Sequence, residues 1–205
     1  MTQQARNFLS QDSVLAELIA NYGPLSLPRG NPDLTALARI IVGQQLSGAA
    51  ARTIFSRLRD RINSLEIEPC DLIDMAESEF LEVGISRAKT LYLKGISNLL
   101  LERPNFLNDI KKMSDLDAIN HLISVKGIGA WSANIFLLFD SGRKDIFPIG
   151  DASLNKALKM LYQIEPAEVE EFSRRWSPYR SYASLYFWRW VDASGQSKNM
   201  NREIT

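Results

Sequence analysis

Residues 125–139 read VKGIGAWSANIFLLF: two glycines, Gly127 and Gly129, stand around one isoleucine directly before an apolar run of helical length. Glycine reaches backbone angles closed to other residues and lets a ligand approach the main chain, so G-x-G ahead of a helix gives a tight hairpin with exposed amides. Those amides, with the positive end of the helix dipole behind them, make an anion site that needs no charged side chain. Lys126 adds a local positive charge. Upstream, LDAINHLISV (116–125) has helical periodicity, so the loop is bracketed as helix, hairpin, helix. A dinucleotide-binding GxGxxG is disfavoured, because Ser132 stands in the place of the third glycine and no strand pattern precedes the loop.

Working outward, helical periodicity dominates, and no stretch shows the sustained alternation of half-buried strands. An all-α protein is expected. Asp12 or Ser13 caps a helix carrying Val14, Leu15, Leu18 and Ile19 on one face, closed by the breaker NYGPLSLPRGNP; residues 21–32 read as a linker. Two helices then meet at a corner near Gln44 to Ser47, with Ser47 as the second cap. Further helices are expected at 70–83, 87–101 after Ser86, 115–124 after Ser114, 130–140 ended by Gly142, and 152–162. Two more run from Pro166 to about Val191, split at Pro178.

The 205 residues carry 24 basic and 24 acidic side chains, so any affinity for a polyanion must come from a local surface. Lys126, Arg52 and Lys156 are candidate phosphate contacts. One cysteine, Cys70, excludes an intramolecular disulfide framework, a zinc ribbon and a four-cysteine cluster held by this chain alone. The start lacks the order of a secretory signal, and no apolar run of about 18 residues occurs, so no membrane role and a reducing, cytoplasmic location are expected.

Four blocks carry a family resemblance: IIVGQQLSGAAARTI (40–54), GISRAKTLYLKGIS (84–97), the hairpin followed by DIFPIGDASLNKAL (145–158), and YRSYASLYFW (179–188). In this order they resemble the helix–hairpin–helix (HhH-GPD) DNA glycosylases, and most of all the DNA-3-methyladenine glycosylase II branch. Together with the helical pattern, the resemblance implies a two-lobed helical fold, one lobe from 33 to 140 and one from 1–32 plus 141–205, in the compact form that lacks an N-terminal mixed α/β segment. It also implies base excision repair of alkylated bases, 3-methyladenine and related methylated purines, in damaged double-stranded DNA. The protein would act as a monomer, nucleoid-associated in a bacterium or nuclear in a eukaryote. A non-catalytic DNA-binding protein and a glycosylase for oxidised or deaminated bases are the alternatives.

Asp151 matches the catalytic aspartate of that family, and a carboxylate at a helix N-terminus is favoured in its charged form. Asp140 and Asp145 are nearby rivals outside the matching position. Trp131 stands where some members carry a nucleophilic lysine, so a monofunctional enzyme is implied. Trp131 and Trp188 are candidate surfaces for a cationic base, Ile135 and Ala152 line the implied pocket, and Trp176 and Trp190 read as core. Gln45 matches the minor-groove wedge, with Leu46 and Ser47 adjacent. Lys126, Gly127, Ile128, Gly129 and Ser132 form the implied DNA-binding hairpin. No cofactor is required, but the resemblance allows a monovalent cation, Na or K, on the backbone carbonyls of Ile123, Val125 and Ile128. Gly150 departs from the often acidic residue before the aspartate, and His121 reads as a surface or phosphate-neighbouring side chain.

Overall fold

A computed structural model describes residues 1–28 and 30–195. Among the described residues the regular structure is helical, without strands, and no helix is long and apolar enough to cross a membrane. In chain order the helices are α1 (Gln3–Leu9), α2 (Ser13–Tyr22), α3 (Leu34–Gly43), α4 (Gly48–Ile62), α5 (Pro69–Asp74), α6 (Glu77–Val83), α7 (Arg87–Glu102), α8 (Phe106–Asp109), α9 (Asp115–Ile123), α10 (Ala130–Phe139), α11 (Ala152–Tyr162), α12 (Val169–Ser173) and α13 (Arg180–Ala193). The expected caps are in place: Asp12, Ser47, Ser86 and Ser114 each accept a backbone N–H from the first turn that follows.

Three elements differ from the sequence-based expectation. The run expected at 70–83 is two helices, because the Lys94 ammonium donates to the Ile73 and Met75 carbonyls while the Glu79 carboxylate accepts the Ala76 N–H. One helix is closed and the next opened within three residues. Helix α1 is additional; only Ala5 and Leu9 are buried on it, too few apolar positions to register as a period. The four-residue α8 is likewise too short for a periodic signal.

The chain divides into two compact units, one of residues 1–28 with 137–195, the other of residues 30–136. The lobe expected to end at 205 includes residues 196–205, and the linker includes Arg29; both lie outside the described residues.

In the first unit α13 is buried along its length from Ser181 to Trp188. Its start is tied to the segment before α11: Arg180 makes a bidentate pair with Asp145, 2.9 Å on both arms, and the Ser181 hydroxyl donates to Arg143 O and accepts from Ile146 N. Around Trp176 the rings of Phe147, Tyr162, Phe172 and Phe187 pack with centroids 5.0–5.8 Å away. Trp190, expected in the core with Trp176, is only half-buried, because it follows the stretch of α13 that the unit encloses.

One carboxylate joins three elements of this unit. Asp12 caps α2 through Val14 N and Leu15 N, and also accepts from Tyr162 Oη at 2.7 Å and from Trp176 Nε1 at 3.0 Å. Burial, and then the Asp12 carboxylate, push the Tyr162 phenol well above its ordinary value, so it stays a donor.

In the second unit α3 is the interior helix, with Leu37, Ala38, Ile41 and Val42 fully enclosed. Leu93 and Ile96 of α7, Phe80 of α6 and Leu122 of α9 are likewise buried there.

Replacing Asp12 with alanine removes a cap and strands two donors, the buried Trp176 indole and the half-buried Tyr162 hydroxyl. A loss of about 2–4 kcal/mol is expected in urea unfolding followed by tryptophan fluorescence.

Candidate functional site

The hairpin in the second unit is built as its sequence requires. Gly127 has φ +94°, and a Cβ there would lie 2.7 Å from Tyr92 Cβ and closer still to its ring, so this glycine is demanded twice over. Gly129 differs: its φ is ordinary, and a Cβ would meet nothing within 4 Å. The fold does not need Gly129 bare, whereas a ligand lying against the main chain would. Lys126 is exposed at the tip, while Val125 and Ile128 are buried. Among the carbonyls implied for a cation, Val125 O accepts the Ile128 N–H at 3.0 Å, which leaves it a second lone pair.

Gln44 and Gln45 form the turn between α3 and α4. Leu46 N donates to Gly43 O; Gln44 has φ −55° and ψ 132°, and Gln45 has φ +57°. These are the angles of a type II turn, whose third position favours glycine or asparagine. Asn63 and Gln163, the other non-glycine residues with positive φ among the described residues, both sit at helix C-caps, where αL is common. Gln45 follows a cap instead, and its conformation costs on the order of 1 kcal/mol or more. Its side chain is exposed; Leu46 and Ser47 are half-buried, and the Ser47 hydroxyl caps α4.

This turn is bonded to the hairpin. Gln44 Nε2 donates to Gly127 O at 2.9 Å and to Ser132 Oγ at 3.0 Å. Lys89 Nζ donates to Val42 O and Gln44 O, each at 2.8 Å, closing the C-terminus of α3. Partial burial pulls the Lys89 ammonium below its ordinary value. Ser132, expected on the DNA side, is buried and holds Gln44 instead. The sequence marks Gln44 only as the edge of a corner and gives no signal for Lys89 or Tyr92; nothing local says which glutamine of the pair turns inward.

In the first unit, residues 148–151 form a turn closed by Asp151 N and Pro148 O at 3.1 Å, with Gly150 at φ +82° in the third position. The departure at Gly150 therefore has a backbone cause. Asp151 caps α11, and its Oδ1 accepts from Ser153 N at 3.1 Å, Leu154 N at 3.0 Å and Trp188 Nε1 at 3.0 Å. The residue is 3% exposed and Trp188 is 2% exposed, with the indole stacked on Phe139 at 5.5 Å. Trp188 was expected to offer an open face to a base; enclosed in this way, it holds the carboxylate instead. Ala152 is exposed, Ile135 is buried and Trp131 is half-buried.

The rival Asp145 and the candidate phosphate neighbour His121 both find other employment. Asp145 is committed to Arg180, and His121 stacks on Phe106 at 3.9 Å and donates from Nε2 to Phe106 O. His121 is thus a packing residue. Arg52 is exposed and Lys156 half-buried.

Three substitutions separate fold from ligand. Gly127→Ala should lower stability by about 2 kcal/mol or more, whereas Gly129→Ala should leave the melting temperature within about 2 °C and weaken binding to a DNA duplex in a salt titration. Gln45→Gly should stabilise the protein by roughly 0.5–1 kcal/mol in urea unfolding, since glycine accepts the turn angle without strain.

The sequence model of the HhH-GPD superfamily base excision DNA repair proteins matches residues 38–178, more than half of the chain. The chain is 28% identical over 166 residues to YfjP of Bacillus subtilis, covering 76% of this chain and 58% of that protein. It is 26% identical over 182 residues to DNA-3-methyladenine glycosylase 1 of Schizosaccharomyces pombe, covering 85% and 79%. A crystal structure of a DNA-3-methyladenine glycosidase from Bacillus halodurans superposes with a TM-score of 0.82 at 27% identity, over 96% of this chain and 92% of that one. The chain belongs to the HhH-GPD superfamily of base excision DNA repair proteins.

Proposed function

We propose that this protein is a monofunctional DNA glycosylase that hydrolyses the N-glycosidic bond of alkylated bases, 3-methyladenine and related methylated purines, in damaged duplex DNA. The observation that carries this reading is the buried Asp151 carboxylate, held by two helix N–H groups and the Trp188 indole within the chain that matches the repair family. The reaction breaks the bond between the sugar C1′ and the base nitrogen. Water supplies hydroxide to C1′, and its proton ends on the departing base or in solvent. Positive charge develops on the sugar in between, and a pre-positioned carboxylate in a dehydrated site stabilises it without having to reorganise.

The hairpin amides with Lys126 would take a backbone phosphate, and Gln45 would enter the space vacated by the extruded nucleotide. Carbonyls of Ile123, Val125 and Ile128 would hold a monovalent cation, which supplies a further positive charge against that phosphate. Trp131 would lie against the extruded base, with Ile135 and Ala152 nearby. Because Trp131 occupies the place of a lysine nucleophile, the product would be an abasic site with the strand uncut. The two lobes would divide the work, residues 33–140 gripping DNA and the remainder carrying the carboxylate.

Asp151→Asn keeps a capping oxygen for Ser153, Leu154 and Trp188 while removing the charge. It is expected to fold normally, to bind DNA, and to release methylated purines from alkylated duplex about 100-fold or more slowly. Undiminished release would overturn the mechanism. Tight binding with no release by the unsubstituted protein would indicate a binding protein. Release restricted to oxidised or deaminated bases would place it in another branch.

A further inference from the structure

Gln44 connects two parts that the proposed function treats separately. Its amide donates to a main-chain oxygen of the hairpin, Gly127 O, and to a hydroxyl in the first turn of α10, Ser132 Oγ, across sequence separations of 83 and 88 residues. The next residue is Gln45, whose exposed side chain is presented by the strained third position of a type II turn. A glycine at 45 would relax this turn, as Gly150 does in the corresponding turn before Asp151. The strained geometry is instead held from both sides. Lys89 clamps Val42 O and Gln44 O, and the Gln44 side chain is pinned to the hairpin, where Gly127 is itself locked over the Tyr92 ring. The Gln44 amide and the Ser132 hydroxyl satisfy each other, so this link forms part of the buried hydrogen bonding of the unit.

We infer that Gln44 is a positioning residue: a strut that fixes the Gln45 turn to the hairpin, so that gripping a phosphate and inserting the wedge occur in one register. The inference rests on the reading of Gln45 as the wedge. Gln44 touches no base in this account and acts only through its neighbour. Without the strut both parts persist, but the turn is free to relax and the wedge is no longer aimed by the hairpin's hold on the backbone.

The test uses the full chain and two fluorescent duplexes, one undamaged and one carrying a tetrahydrofuran abasic analogue, whose vacant position the wedge fills. Gln44→Leu is expected to keep undamaged-duplex affinity within about twofold and to weaken abasic-duplex affinity by about tenfold, the scale of two lost hydrogen bonds. In a Gln45→Ala background the same substitution should change abasic-duplex affinity by less than about twofold, since the strut then has nothing to aim. Simple destabilisation would not produce that non-additivity. Equal losses in both backgrounds, or equal losses on both duplexes, would overturn the strut. If Gln44→Leu folds poorly, Ser132→Ala removes one acceptor and should give about a threefold loss with the same dependence on Gln45. A Gln45→Ala variant that binds the abasic duplex normally would refute the wedge reading and take the inference with it. A loss with Gln45→Ala but none with Gln44→Leu would sink the strut alone.

Discussion

A carboxylate buried to 3% exposure must recover its lost hydration, on the order of several kcal/mol, from donors the protein supplies. Asp151 does so with two N–H groups of the helix it caps and with an indole from α13. Much of the first unit follows from that requirement. Helix α13 has to run through the interior to bring Trp188 to the N-terminus of α11, and so its polar side chains need internal partners. Ser181 finds them in the backbone of residues 143–146, and Arg180 in Asp145, a pair that also anchors the segment leading to Asp151. One helix thus fixes both the carboxylate and the chain that delivers it.

The second unit solves a different problem, exposing main chain without letting it wander. An exposed hairpin and an exposed turn each carry unsatisfied groups that invite fraying. Here they satisfy each other through Gln44, with Lys89 closing the carbonyls at the end of α3. The strain at Gln45 is sustained because its flanks are over-determined, the condition under which a sparsely populated backbone angle persists. The two glycines of the hairpin divide the labour: Gly127 serves packing against Tyr92, and Gly129 leaves open space.

Much of the fold was legible because its signals are local. Ser47, Ser86, Ser114 and Asp12 announce helix starts through side-chain oxygens that can reach only nearby N–H groups, and apolar residues at helical spacing mark the faces that bury. The break at Met75 was not legible, since it depends on Lys94, a residue 19–21 positions further along the chain. Asp151 was legible by the motif around it and by its place before a helix. Its burial and the enclosed state of Trp188 were not, because a tryptophan reads the same in sequence whether its face is open or covered by Phe139.

By itself, then, the sequence determined the helical architecture, the hairpin with its glycines, and the candidate residues at 45 and 151, since periodicity, capping and turn chemistry act within a few residues. Tertiary structure alone decided which glutamine of the pair turns inward, that the Ser132 hydroxyl accepts from Gln44, and that Trp188 reaches Asp151 across 37 residues. Contacts at such separations exist only once packing has closed the intervening chain, and the free energy that closes it is spread over the whole core rather than written in any short stretch.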